Sequence, residues 1–295
     1  MSINIGITIT KDSYTPEAYA YADFLSRKGH KVELAYRLNP NNDINIYFMG
    51  LRPFWKYKSN RAIEIHEYHS LSTGSNPRIK NNLKAFINKK PEGRIFLNEV
   101  VRNDLKLRDN VPFIYRDMGV EDNMFQVPST NPIYDIVYCG SIIGRKGLIN
   151  TLIFLSQRFK VCVIGNINES DKKLLILNNI TVLGPKSRIE IADIYKESCF
   201  GLNYTPDIYP FNIQTSTKTI EYLASGLHVI SNKYKWIEDF SRFHDYEPIW
   251  LDTLMENFTE FSYDRSKLPS MSEYKWDNIL EICKLENFLK KTLEK

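Results

Sequence analysis

The chain has 295 residues, enough for two domains of ordinary size. At 43% hydrophobic and 25% charged residues it has the balance of a globular protein, and no run of about 18 apolar residues offers a membrane span. The net charge of +4 is unevenly spread: residues 1–128 hold 19 Lys and Arg against 14 Asp and Glu, which points to an anionic partner or membrane surface on that half only, against the plainer reading of an ordinary solvated surface.

The start, Met1-Ser2-Ile3-Asn4-Ile5-Gly6, has no basic segment ahead of an apolar core, so no signal peptide is expected. Cys139, Cys162, Cys199 and Cys283 form no CxxC pair and are expected as free thiols in a reducing cytoplasm. Ile3 to Thr10 is an opening strand, followed by a helix over 15–29 that Gly29 stops. Strands are expected at Lys31–Tyr36, Ile44–Met49, Ala62–His66 and Gly93–Leu97. Strands alternating with helices indicate a parallel sheet, whose ligands sit at the carboxyl ends of the strands. Lys11-Asp12-Ser13, Gly50-Leu51-Arg52 and His66-Glu67-Tyr68-His69 would then line the site. Asp12, Glu67 and His69 are the candidate proton acceptors, against the plainer reading of loop caps and turn residues. His66 and His69 are not spaced as an HExxH metal pair, and no metal site is expected.

Two stretches mix basic and aromatic residues, Arg52–Arg61 and Arg78–Lys90. The second suits an amphipathic helix, with Ile79, Leu83, Phe86 and Ile87 beside Lys80, Lys84 and Lys90. Such segments fit an anionic bilayer or a lipid-linked phosphate, or else a helix packed on the sheet with a solvated basic face. No nucleic-acid motif is present.

A second α/β unit begins near Asn131-Pro132-Ile133. Its strands are expected at Asp135–Cys139, Val161–Ile164, Ile180–Leu183, Gly201–Tyr204 and His228–Ser231, with helices over Leu148–Phe159 and 188–198. Gly140, Gly144 and Gly147 do not make a GxGxxG fingerprint, and no Walker A motif occurs. Residues 215–226 read as a helix with a hydroxyl-rich start, Thr215-Ser216-Thr217, and a stop at Gly226. Its free N–H groups and positive dipole end suit a phosphate, and Lys218 in the first turn is unfavourable unless an anion is near. Glu221 follows Thr215 by roughly 9 Å of helix, about the distance from a diphosphate to a ribose. A capped, half-buried helix with an incidental Lys and Glu is the plainer alternative.

The stretches YDIVYCGSIIGRKGL, ITVLGPKSRIEIADIYKESCFGLNYTP and STKTIEYLASGLHVISN, in this order, resemble glycosyltransferases of the GT-B fold, glycosyltransferase family 4 and its relatives above all. PFIYRDMGVEDNMF is similar to the family's inter-domain link, and PEAYAYADFLSRKGHKVEL to its first helix and second strand. The resemblance covers about residues 1–232, and a last helix over about 275–293 also fits. It implies two Rossmann-like domains facing across a cleft: an acceptor domain over 1–130, a nucleotide-sugar domain over 131–273, and a C-terminal helix over 274–295 packing back towards the first.

It also implies transfer of a hexose from a UDP-, GDP- or dTDP-sugar to a glycan or lipid-linked acceptor in surface polysaccharide synthesis. The reaction would be retaining and need no metal or other cofactor, in the cytoplasm, peripheral at the inner face of the membrane. Lys146 is similar to the lysine that contacts the donor diphosphate, and Glu221 to the glutamate that binds the ribose hydroxyls. Thr215, Ser216 and Thr217 would offer hydroxyl or N–H groups to the diphosphate. Two positions depart from the pattern. Ile213 stands where the family has its sugar-contacting glutamate, and Ser141 where it has an arginine whose charge Arg145 would supply. An inactive nucleotide-sugar-binding subunit and a sugar-nucleotide epimerase are the alternatives.

Overall fold

The computed structural model describes residues 2–9, 15–48, 52–55, 61–107, 109–256 and 264–294. They divide into two compact units, residues 1–119 with 274–295 and residues 120–273.

The first unit holds strands β1 (Asn4–Thr8), β2 (Lys31–Ala35), β3 (Ile44–Phe48), β4 (Ile63–Tyr68), β5 (Gly93–Phe96) and β6 (Phe113–Tyr115). With them run helices α1 (Pro16–Arg27), α2 (Pro77–Ile87) and α3 (Glu99–Leu105). The strands form one parallel sheet in the order β2-β1-β3-β4-β5-β6. Its inner strands are covered on both faces, so Ile5, Ile7, Ile44, Ile46, Ile65 and Ile95 are all buried, as expected of a parallel sheet. α1 buries Ala18, Tyr21, Phe24 and Leu25, an i, i+3, i+4 stripe. The loops leaving β1 and β3, Asp12 among them, lie outside the described residues.

The second unit contains β7 (Tyr134–Cys139), α4 (Leu148–Ser156), β8 (Val161–Ile164), α5 (Glu169–Leu177), β9 (Thr181–Gly184), α6 (Arg188–Lys196) and β10 (Ser198–Asn203). It continues through α7 (Thr217–Ala224), β11 (His228–Ser231), α8 (Lys235–Phe243), β12 (Ile249–Trp250) and α9 (Leu251–Glu256). The sheet order is β12-β11-β10-β7-β8-β9. The chain therefore winds outward from β7 through β8 and β9, then returns to β7's other side with β10. This places a switch point between β7 and β10, where such sheets open a crevice at the carboxyl ends of their strands. Leu148, Leu152 and Leu155 anchor α4 in the core beneath it, each burial contributing about 1.5–3 kcal/mol. α6 opens with a Ser187–Glu190 capping box.

The expected C-terminal helix is two helices, α10 (Trp276–Ile282) and α11 (Leu285–Leu293), with Lys284 between them at φ 54°. The reason is register. Trp276, Ile279 and Leu280 are buried, and so are Leu285, Phe288 and Leu289. Nine residues separate the two triads, so in one continuous helix they would point about 180° apart. The left-handed residue resets the phase. Within the first unit, Arg27 and Lys28 of α1 pair with Asp277 and Glu281, and His30 Nε2 lies 3.0 Å from Glu286 Oε1.

Candidate functional site

In the second unit, the loop after β7 (residues 140–147) and the loop after β10 (204–216) flank the switch point. Tyr204 ties the first loop to the second. Arg145 donates from Nη1 to the Tyr204 carbonyl at 2.9 Å, and the Tyr204 hydroxyl donates to the Lys146 carbonyl at 3.0 Å. Gly147 at φ 90° leaves the room: a Cβ there would stand 2.4 Å from the Tyr204 hydroxyl. Tyr138 donates to the Ser141 carbonyl at 2.9 Å. The Ser141 and Lys146 side chains are exposed and Arg145 is half-buried.

Helix α7 begins at Thr217, not Thr215, because Ser216 is extended and caps it, accepting from the Thr219 N–H. The Ser216 hydroxyl is committed: it also donates to Asn203 Oδ1 at 3.0 Å. Asn203 Nδ2 donates in turn to the Ser231 and Tyr234 hydroxyls at 3.0 and 2.9 Å. This buried network ties the start of α7 to the ends of β10 and β11, and the Ser216 hydroxyl holds the helix start in place. Among the described residues, the N–H groups of Thr217 and Lys218 at the helix start have no acceptor. Thr215 and Thr217 are half-buried beside them. The later start also shortens the span to Glu221 to roughly 6 Å.

Lys218 lies against Gly140, at φ 140°, where a Cβ would meet its Cε at 2.6 Å. Its Nζ is 6.0 Å from the centre of the Tyr138 ring. It makes no salt bridge or hydrogen bond among the described residues. Burial, with the Arg145 charge added, pulls this ammonium down to about 8. A half-buried cation therefore stands in the first turn of a helix whose dipole opposes it, near a second cation. That arrangement favours an anion.

One turn along α7, Glu221 Oε1 accepts from Arg188 Nη2 at 2.6 Å, and Arg188 Nε reaches Glu121 Oε2 at 3.1 Å. Burial lowers the Arg188 guanidinium, but the two carboxylates outweigh it and hold it above its ordinary value. Sequence reasoning missed Asn203, Tyr204 and Arg188. Only Arg188 carried a signal, a cation at a helix start, the same anomaly that drew attention to Lys218.

In the first unit, β4 runs through Tyr68, two residues beyond its expected end, and this changes Glu67. Its side chain is fully buried in the strand, bonded to Arg116 Nη2 and accepting from the Tyr21 hydroxyl at 2.9 Å. Arg116 Nε donates to the same hydroxyl at 2.8 Å. Burial raises the Glu67 carboxyl and the Arg116 charge opposes the rise. The expectation of Glu67 as a loop base is corrected to one half of a buried ion pair. His69 does lie just past the strand end. Its Nδ1 is buried with no described partner, its ring is 5.9 Å from Phe48, and burial lowers its pKa. Asp12 lies outside the described residues. A separate cavity of about 950 Å³, lined by residues such as His228, Tyr246 and Trp250, contains none of these side chains.

No protein-family model matches the sequence, and no curated protein does. Solved structures do match. AviGT4, a glycosyltransferase involved in avilamycin A biosynthesis, is 11% identical with a TM-score of 0.63, covering 99% of this chain and 98% of that one. Sucrose-phosphate synthase from Thermosynechococcus elongatus is 12% identical with a TM-score of 0.65 over the same shares. Anabaena HepE, solved with UDP-glucose, is 11% identical with a TM-score of 0.59, again over 99% and 98%. With two six-stranded parallel sheets and neighbours matched over nearly its full length, the chain has the GT-B fold.

Proposed function

We propose that this protein is a glycosyltransferase that moves a hexose from a nucleotide diphosphate sugar to a glycan or lipid-linked acceptor in surface polysaccharide synthesis. The observation that carries the reading is Lys218, a half-buried ammonium with no salt bridge among the described residues, at the start of α7 beside the switch point. When the sugar's C1–O bond breaks, the electron pair stays with the diphosphate. Lys218, Arg145, Lys146 and the N–H groups of Thr217 and Lys218 stabilise that charge, and no metal is required. Glu221 accepts from the ribose hydroxyls. The first unit takes the acceptor, with His69 or Asp12 receiving the proton of its hydroxyl. The enzyme works in the cytoplasm at the inner face of the membrane, and retention of configuration is the favoured outcome. The fold shared with HepE, solved with UDP-glucose, supports a nucleotide-sugar donor.

Incubation with UDP-, GDP- and dTDP-sugars and candidate acceptors tests this, with nucleoside diphosphate release as the readout. Ile213, half-buried in a short 3-10 turn, gives the sugar no carboxylate at that position and favours a second reading, an inactive nucleotide-sugar-binding subunit. Tight binding without release under any acceptor supports that second reading. Interconversion of free nucleotide sugars identifies an epimerase instead.

The Arg188–Glu221 pair gives a sharper expectation. Glu221→Ala weakens nucleotide-diphosphate binding by roughly 10-fold, the loss of hydrogen bonds to a charged group. Arg188→Ala does nearly the same without touching the ligand, because it frees Glu221 to turn away. Both variants lose the preference for a ribonucleotide over its 2′-deoxy form in calorimetric titration. An unchanged preference removes Glu221 from the ribose site.

A further inference from the structure

Helix α2 is inverted with respect to its unit. Its one buried side chain is polar: Asn81 accepts from the Ser72 N–H at 2.9 Å and donates to Asp104 at 3.0 Å. Its apolar residues Ile79, Leu83 and Phe86 are 65%, 54% and 83% exposed. At about 100° per residue they form one stripe roughly half a turn from Asn81. Phe54 and Trp55, 58% and 59% exposed, extend the stripe at its end. They are held there. Phe54 N–H donates to the Ile87 carbonyl at 3.0 Å, and Lys89 N–H to the Arg52 carbonyl at 2.8 Å. Beneath them the buried Glu64 carboxylate accepts from Arg52 at 2.9 and 3.1 Å and from Lys89 at 2.8 Å.

The charge around the stripe has one sign. Lys80 stands about a quarter turn from it, half-buried Lys84 lies further round on the same side, and Arg78 and Lys90 stand at its ends, while neither 52–63 nor 68–91 contains an Asp or Glu. We propose that this face, α2 with Phe54 and Trp55, docks on an anionic lipid bilayer. The apolar stripe seats at the boundary of head groups and acyl chains, and the cations meet anionic head groups. A second copy of the chain is a poor occupant, since it would bring the same positive face. The inference names the surface behind the peripheral association proposed above and rests on that part of the reading. It does not need the donor site.

The test is co-sedimentation of the full chain with vesicles of phosphatidylcholine alone or with part replaced by phosphatidylglycerol. Binding to the anionic vesicles is expected to exceed neutral binding at least about tenfold. It falls with added salt, as the screening length shrinks from about 8 Å at 0.15 M to about 3 Å at 1 M. A Leu83→Ser/Phe86→Ser variant and a Lys80→Glu/Lys84→Glu variant each lose it, with an unchanged circular dichroism spectrum and unchanged nucleotide-diphosphate affinity. Equal binding to both vesicles, or full binding by either variant, overturns the proposal. So does a dimer that Leu83→Ser/Phe86→Ser converts to a monomer while vesicle binding is absent, which assigns the face to a second copy. Vesicle binding without any nucleotide binding sinks the donor reading and leaves this one standing.

Discussion

Lys218→Met is expected to weaken nucleotide-diphosphate binding by roughly 10- to 100-fold and at the same time to stabilise the protein. The two effects have one origin. In the folded chain the ammonium is half-buried against Gly140 with Arg145 nearby, and its pKa is pulled down to about 8. In the unfolded chain an ordinary lysine titrates near 10.4. Between these values the unfolded state binds more protons, so stability rises with pH through that window. The cost is fully present below pH 8. Methionine keeps the aliphatic stem and removes the charge, so at pH 7 the variant gains on the order of 2 kcal/mol. A bound diphosphate restores the lysine's charge. The native protein's affinity is therefore flat below about pH 8 and falls above it, whereas the variant's affinity does not follow that titration. Calorimetry across pH 6–10 with parallel thermal melting reads all three effects. A variant that is less stable and binds as well as the native chain contradicts the assignment.

Arg116→Met is expected to destabilise the first unit by about 3–5 kcal/mol, the cost of leaving a buried carboxylate unpaired. Glu67 is fully buried, and besides Arg116 it has the Tyr21 hydroxyl. Without the guanidinium, Glu67 must take up a proton to stay buried. Its folded pKa then lies further above the unfolded value, so stability falls as pH rises past the ordinary carboxylate range. The variant is accordingly closer to the native protein at pH 5 than at pH 8 in urea unfolding. Arg116→Met/Glu67→Met recovers part of the loss, since that apolar pair has no charge to desolvate, while the buried Glu17 carboxylate, 3.9 Å from the Arg116 guanidinium, still loses its cation. A loss of activity in Glu67→Gln with native stability would instead return Glu67 to a catalytic role.

These two side chains also show where sequence reading succeeds and stops. The sheets were legible because their inner strands are runs of apolar, largely β-branched residues such as Val161–Ile164, with helical stretches between them. Helix α7 was legible from the Ser216 cap and Gly226, and Lys218 from its conflict with the helix dipole. Glu67 was not, because its partner Arg116 is 49 residues away and neither position advertises the other. Arg188 and Glu221, 33 residues apart, pair only once the sheet has brought α6 and α7 together. α5 escaped notice because Leu175 is its only buried residue while Leu174, Ile176 and Leu177 are exposed, which blurs any helical stripe. The break at Lys284 was hidden for the opposite reason: each half of the last segment has a clean stripe, and only their relative phase shows the reset.

Whether the crevice beside β7 and β10 holds a nucleotide diphosphate is read from calorimetric titration of the native chain with UDP, GDP and dTDP. Saturable binding of at least one of them is expected at pH 7 with no metal added, sharply weakened in Lys218→Met and in Glu221→Ala. Absence of binding by all three, or binding that both variants leave unchanged, would contradict it.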